Sequence, residues 1–305
     1  MRRWLTTHLL IDMNINILQN ELDELIEFSE LFAEHNFSAR REALVFLQMV
    51  SQISVTGNHE SRELKRRARI FSERLRTFNG YLAQDFYQRL KSQHPLPTDF
   101  RSWLAPYTNY VPKDWGKPHY GYESLDFLLD AVLLPEPQPE PNLKSEYGMV
   151  RYQPTPASVV LELTERIQFT DNDLFCDLGA GLGKVTMLVH LLTQVQTVGV
   201  EYQSSFCDYA ERQAQDLGLT RISYLNLNAR NADYSDATVF FFFNPFGGLI
   251  FDSVLEKLRL EAEKREITLC SYGSSSQPLS ELTWLERLPP VSEDEMALEI
   301  FRGIV

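Results

Sequence analysis

The sequence predicts an α/β protein: a mostly parallel sheet of seven strands with an antiparallel hairpin at its C-terminal end, preceded by a helical N-terminal region. Three observations carry this. From residue 147 onward, apolar runs of five or six residues alternate with helical stretches. A glycine-rich turn, Asp177-Leu-Gly179-Ala180-Gly181-Leu-Gly183, stands where the first such run gives way to a helix. Residues 20–92, by contrast, repeat apolar side chains in steps of three and four.

In chain order, Leu22, Leu25, Ile26 and Phe32 share one helical face, with six acidic residues between Glu21 and Glu34 on the other. A second helix is predicted around Glu42–Ile53. Leu64, Ala68, Phe71, Leu75, Phe78 and Leu82 then form the seam of a longer helix, which Asn79-Gly80 is placed to interrupt. That helix carries Arg62, Lys65, Arg66, Arg67, Arg69, Arg74 and Arg76. Two readings fit: a basic face for an acidic partner, or a solvated face lying against the acidic Glu21–Glu34 helix.

From about 94 to 146 the composition turns to Pro, Trp, Tyr and Gly. The run Pro135-Glu-Pro137-Gln-Pro139-Glu-Pro141 reads as an extended linker or surface loop, because alternate prolines deny both helix and central strand. The aromatics between Trp103 and Tyr122 suggest packing across the junction between the halves. The expected domains are therefore a helical region at 1–105, a connector at 106–146 and the sheet domain at 147–305. Thr155-Pro156 reads as N-cap and first helical residue. Strands follow at Leu174–Leu178, Thr197–Glu201, Ile222–Leu227, Val239–Phe243 and Ile267–Tyr272, with helices at about 183–193, 204–217 and 249–265. Phe240 to Phe243, apolar without alternation, suit a central strand covered on both faces. Trp284–Leu288 and Ala297–Arg302 supply the closing hairpin.

Composition limits the function classes. The net charge of −13 is uneven: residues 1–145 balance at −2 and residues 146–305 at −11, which argues against a nucleic-acid backbone on the sheet half. Cys176, Cys207 and Cys270 are far apart and form no ligand pattern with the six histidines, so buried reduced thiols are expected, with no metal. No apolar run reaches membrane-span length. Leu9-Leu10-Ile11 is too short and polar for a signal-peptide core, Met13 is an alternative start, and a cytoplasmic protein is expected.

Glycines in the 177–183 turn let a backbone approach a ligand that a Cβ would push away. Glu201, 24 residues beyond Asp177, ends the second strand, where a carboxylate can accept both hydroxyls of a ribose. A dinucleotide fingerprint fails on spacing, with Lys184 where its third glycine belongs. A P-loop fails too, with Leu178 and Val185 at its defining positions.

The set resembles the class I, Rossmann-like S-adenosylmethionine-dependent methyltransferases over residues 147–305. The resemblance implies S-adenosyl-L-methionine as cofactor, with Asp177 and the backbone of Gly179, Ala180, Gly181 and Gly183 facing its methionine moiety and Glu201 its ribose. Asn228, followed by Ala229, takes the place of the aspartate that addresses the adenine amine. Phe243-Asn244-Pro245-Phe246 is similar to the rim motif of amino-methylating members, one proline short. It implies a grip on an acceptor nitrogen by Asn244 and the Pro245 carbonyl, with Phe246 as a wall; the alternative is a simple turn into the next helix. Glu146-Tyr147-Gly148 and Tyr152-Gln-Pro154-Thr155 resemble the cofactor-covering loop of the non-SET histone-lysine methyltransferases, implying roles for Tyr147 or Tyr152 as a lid and for Thr155 at the cofactor. Met149 replaces that family's acidic residue, so a lysine substrate does not follow. The implied function is methyl transfer to nitrogen on a protein or small molecule. The competing reading is a non-catalytic cofactor-binding scaffold using the helical region as a partner-binding module.

Overall fold

The computed structural model describes residues 15–53 and 59–304, so Leu9–Ile11 and Met13 lie outside the described residues. The chain divides into two compact units: the described part of Met1–Arg89 with Glu123–Val132, and Leu90–Tyr122 with Leu133–Val305. Composition places breaks at 105 and 146, whereas residues 90–122 and their aromatics group with the sheet.

In the first unit, α1 (Ile15–Glu27), α2 (Phe37–Gln52) and most of α3 (His59–Gln93) enclose a core of Leu18, Leu22, Leu25, Phe46, Leu64 and Phe71, among others. The seam residues Leu64, Ala68, Phe71 and Leu75 are all buried, as their spacing requires. Asn79-Gly80 does not interrupt α3, which runs unbroken through both. Part of the basic segment is engaged within the unit. Arg67 pairs with Asp23 on α1, Arg66 with Glu63, and Arg74 lies over the Phe32 and Phe71 rings.

Arg40, fully buried on α2, organises the turn between α1 and α2. Its guanidinium donates to the carbonyls of Leu31 (2.8 Å), Ala33 (2.6 Å) and Glu34 (2.9 Å) and to Asn79. The charge also sits 4.5 Å from the Phe37 ring centroid and 5.1 Å from that of Phe78.

The second unit is a seven-stranded sheet of order β3-β2-β1-β4-β5-β7-β6. Its strands are β1 (Leu174–Leu178), β2 (Gln196–Glu201), β3 (Ile222–Asn226), β4 (Val239–Phe243), β5 (Thr268–Tyr272), β6 (Leu285–Leu288) and β7 (Glu299–Gly303). β1 to β5 pair in parallel; β7 runs antiparallel to both β5 and β6. The sheet is Rossmann-like, with the closing hairpin inserted so that β7, its second strand, lies beside β5.

Helices α6 (Ala157–Arg166), α7 (Lys184–Thr193), α8 (Ser204–Asp216) and α9 (Gly248–Ala262) flank it. Shorter α4 (Pro97–Leu104) and α10 (Ser276–Ser280) add to the unit, whereas α5 (Ser124–Leu133) belongs to the first unit up to Val132. Phe240, Phe241 and Phe242 are all fully buried, so both faces of β4 are covered. Chain order reverses between β1 and β4, and a crevice opens there at the strands' C-terminal edge. At α6 the helix starts one residue later than expected: Pro156 is the N-cap and Thr155 precedes it, so Thr155 makes no cap.

Replacing Arg40 by Met keeps an unbranched apolar stem but strands three carbonyls, each costing about 1–3 kcal/mol when left unpaired in the interior. Denaturant unfolding of Arg40→Met is expected to show a loss of at least about 3 kcal/mol; a loss under about 1 kcal/mol would show that the turn does not depend on it.

Candidate functional site

The β1 turn closes on the tip of β2. Gly179 N and Ala180 N both donate to Val200 O, at 2.9 and 3.1 Å. Gly181 adopts φ +53°, and a Cβ there would stand 2.3 Å from the Tyr152 ring. Gly179 has φ +83°, and a Cβ there would reach Pro245 at 2.5 Å. Both glycines are therefore fixed by close approach as well as by backbone conformation.

Glu201 ends β2 and is 8% exposed. Its Oε2 accepts from Gly181 N at 2.8 Å and its Oε1 from Gln203 N at 2.7 Å. Each carboxylate oxygen retains a lone pair, so the group can still accept two hydroxyls. Burial raises the Glu201 carboxyl above its ordinary range, against the pull of these amides. Asp177, at the end of β1, is 4% exposed. Its carboxyl is pushed up to about 8, first by burial and then by the Glu201 charge. Two carboxyls that resist ionisation together form a site a cationic ligand would relieve.

A cavity of about 680 Å³ lies over this edge. Gly179, Gly181, Glu201, Asn228, Ala229 and the 243–246 rim all line it. A small annex of about 20 Å³ is lined by Asp177, Ala180, Thr155 and Lys184. The structure thus gathers nearly all the sequence-predicted residues at one sheet edge; Gly183 sits just behind, at the N-cap of α7.

Four of them differ from expectation in their place or in the bonds they already make. Tyr147 is 99% exposed and does not line the cavity. Tyr152 does line it, with its ring against Gly181 and edge-to-face with Phe206 at 5.7 Å. The reason is local: Glu146 is held by Asn228 Nδ2 (3.1 Å) and Arg230, and Gly148 turns the chain at φ +94°. Asn244 is at the rim, with φ +44°, but its Oδ1 already accepts from Ser274 Oγ (3.0 Å), Ser275 N (3.1 Å) and Ser275 Oγ (3.3 Å). The Pro245 carbonyl accepts from Val150 N at 3.3 Å, and Met149 bridges Phe246. Both acceptors assigned to an amine are therefore engaged within the protein. Asn228 keeps its amide in place through Glu146 and spends Oδ1 on Arg230 N at 3.2 Å.

Sequence reasoning overlooked Met149, Lys184, Gln203 and Phe206. The signal available for Gln203 was its place two residues beyond the strand-tip carboxylate of Glu201. The aromatic connector also belongs to this unit: Tyr110, Trp115 and Lys113 N converge on Glu165, while His119 and Gly116 N reach Glu162, three residues earlier on the same face of α6. Cys176, Cys207 and Cys270 are free and buried.

Residues 144–242, about a third of the chain, match the family described as "Histone methylation protein DOT1". No curated protein matches the chain. Among solved structures, the chain is similar to an RNA methyltransferase from Salinibacter ruber in complex with S-adenosyl-L-homocysteine, at 21% identity and TM-score 0.38, covering 50% of this chain and 92% of that one. It is similar to the Pyrococcus abyssi tRNA (uracil-54, C5)-methyltransferase, also with S-adenosyl-L-homocysteine, at 12% identity and TM-score 0.39, covering 50% and 40%. A third, precorrin-6y C5,15-methyltransferase from Geobacter metallireducens, is 14% identical with TM-score 0.35, covering 52% and 93%.

Two outcomes follow from the carboxylates. Glu201→Ala is expected to weaken S-adenosylhomocysteine binding by about 1.5–3 kcal/mol, the worth of hydrogen bonds to a charged group; calorimetry giving an unchanged affinity would remove Glu201 from the site. A protonated Asp177 must ionise to meet a ligand cation. Below pH 8, S-adenosylmethionine binding should therefore release about one proton and tighten as pH rises. The same raised carboxyl stabilises the unliganded fold fully below its unfolded value near pH 4, and that contribution fades as pH climbs through about 8. Calorimetry at pH 7 in buffers of different ionisation enthalpy measures the release; no buffer dependence would contradict it.

Proposed function

We propose that the chain, a class I S-adenosylmethionine-dependent methyltransferase, passes its methyl group to a nitrogen atom of a protein or small molecule. The observation that carries the nitrogen assignment is the wall around the rim end of the cavity. Phe243, Phe246, Tyr152, Met149 and Ile250 line it beside Gly179 and Gly181. An ammonium entering such a wall would lose hydration, so the acceptor is favoured as the neutral free base, lone pair exposed. A neutral amine needs no general base to attack. An oxygen acceptor would need one, and the carboxylates on the described lining are Glu140 and Glu201, the latter set at the tip of β2.

When bound, S-adenosylmethionine supplies a methyl group already activated on a sulfonium. The chain's contribution is placement and exclusion of water. The glycine turn admits the cofactor, Glu201 orients its ribose, and Asp177 with Lys184 and Thr155 lines the annex beyond. Asn244 acts through its ties to Ser274 and Ser275, holding the rim in its left-handed turn, and Phe246 and Tyr152 wall the acceptor. The acidic balance of residues 146–305 favours acceptors that are cationic in solution over polyanions. Three unpaired buried thiols fit a cytoplasmic setting. Among the described residues no helix is long and apolar enough to cross a membrane.

The test is product chemistry. Incubation with methyl-labelled cofactor and panels of proteins and small amines should yield a product whose mass spectrum places the methyl on nitrogen. Asn244→Ala should lower kcat by ~10²-fold while cofactor affinity stays nearly constant. A methyl found on oxygen or carbon would overturn the nitrogen assignment, and an Asn244→Ala enzyme at near-normal turnover would overturn the part given to Asn244 in holding the rim.

A further inference from the structure

We infer that Gln203 is a positioning residue for the cofactor, clamping the proline-rich segment 135–143 across the adenosine end of the cavity. This rests on the cofactor reading above. The sheet order sets the two ends: the rim follows β4 on one side of β1, whereas Glu201 and Leu227–Ala229 follow β2 and β3 on the other. Ribose and adenine therefore belong on the β2–β3 side, where α8 begins.

Four of the seven residues from Pro135 to Pro141 are prolines without an N–H, so this stretch cannot be held by a regular backbone ladder. It is held instead by side chains of α8 and the residue before it. Tyr209 Oη donates to Pro135 O at 2.6 Å and Ser205 Oγ to Glu140 O at 2.8 Å. Asn142 exchanges bonds with Ser204 Oγ (2.8 Å) and Ser205 N (3.1 Å). Gln203 closes the set: its Oε1 accepts from Asn142 N (3.0 Å) and Leu143 N (2.7 Å), and its Nε2 donates to Leu143 O (2.9 Å). An amide carries donor and acceptor at one end, and here it stands in for a neighbouring peptide unit.

The same residue also serves the carboxylate. Gln203 N donates to Glu201 Oε1, and the side chain is 7% exposed and lines the cavity with Gln138, Pro139, Glu140 and Pro141. Its backbone thus orients the ribose acceptor, while its side chain sets the distance of the proline wall facing that acceptor. Loosening the side chain should widen the adenosine end and leave the rim, where the acceptor reacts, in place.

The experiment titrates S-adenosylhomocysteine into wild type, Gln203→Met and Gln203→Glu, with amide hydrogen exchange followed over residues 136–144. Gln203→Met matches the side-chain length and makes none of the three bonds. Binding is expected to weaken by ~10-fold, about 1.4 kcal/mol, with the unliganded melting temperature within about 2 °C of wild type, because Asn142 and Leu143 are exposed and their freed backbone groups can bond water. Strap amides should exchange faster and gain little protection from ligand. Gln203→Glu keeps the acceptor, loses the donor to Leu143 O, and should fall between the two. Where an acceptor is in hand, cofactor KM should rise while kcat changes less than about twofold.

Wild-type binding with an unchanged Gln203→Met affinity overturns the clamp and leaves the cofactor reading standing. Absence of binding by wild type overturns both. If Gln203→Met does not fold, Gln203→Glu carries the test, since it removes the Nε2 donor to Leu143 O and keeps the side-chain length. Unchanged ligand affinity and strap exchange in that variant would equally overturn the clamp.

Discussion

Keeping a carboxylate out of water at the tip of β2 is a costly arrangement, and much of the site is organised around meeting that cost. Burial disfavours the charged Glu201, and the amides of Gly181 and Gln203 offset the penalty from opposite sides. Gly181 N can reach Oε2 only if the β1 turn doubles back toward β2, which the two bonds to Val200 O accomplish. The missing Cβ of Gly181 then leaves the space that Tyr152 fills. Tyr152 in turn belongs to the segment whose earlier residues, Gly148 to Val150, pair with Pro245 to Gly247. One buried charge thus sets the turn, the turn seats the covering aromatic, and the covering segment fastens the rim.

A second buried carboxylate does the same for the connector. Glu162, fully buried on α6, is bonded to Arg166 at 2.9 Å, His119 at 2.6 Å and Gly116 N at 3.2 Å. A buried ion set of this kind is weakly stabilising in net terms, but leaving one partner out is expensive, so it specifies an arrangement. Arg166 also donates to Leu298 O, and His119 N donates to Met296 O, while Tyr272 Oη donates to His119 O. The aromatic stretch 107–122 is thereby tied to α6 and to the loops around β5 and β7, which is why it packs as part of the sheet unit.

The rim shows how a motif can be present while its groups are committed elsewhere. Asn244 sits in the left-handed region that asparagine tolerates better than most side chains. Its oxygen holds the loop after β5, where Gly273 makes room: a Cβ there would lie 2.5 Å from Asn244 Nδ2. With the Pro245 carbonyl paired to Val150, the rim is braced from both neighbours, and the wall it presents to an acceptor is mainly aromatic. Bracing of this sort fixes the orientation of the rim without calling on a titratable group.

Sequence by itself determined the strand order of appearance, the turn of Asp177 to Gly183, the carboxylate of Glu201 at the tip of β2 and the position of the rim. These depend on local periodicity, on glycines that a tight turn demands, and on the strand-tip rule, all short-range properties of the chain. It also marked the helical seam at Leu64, Ala68, Phe71 and Leu75. What tertiary structure decided were the pairings between residues far apart in the chain. Tyr152 rather than Tyr147 lines the cavity because Glu146 is anchored 82 residues away on Asn228. The proline run, read as linker or surface loop, lines the cavity because Gln203 and its neighbours on α8 hold it from some 60 residues downstream. The orientation of Asn244, the buried Arg40 beneath its turn and the membership of the connector follow the same rule. Each depends on which hydrogen-bonding groups meet in space, and spacing along the chain carries no record of that.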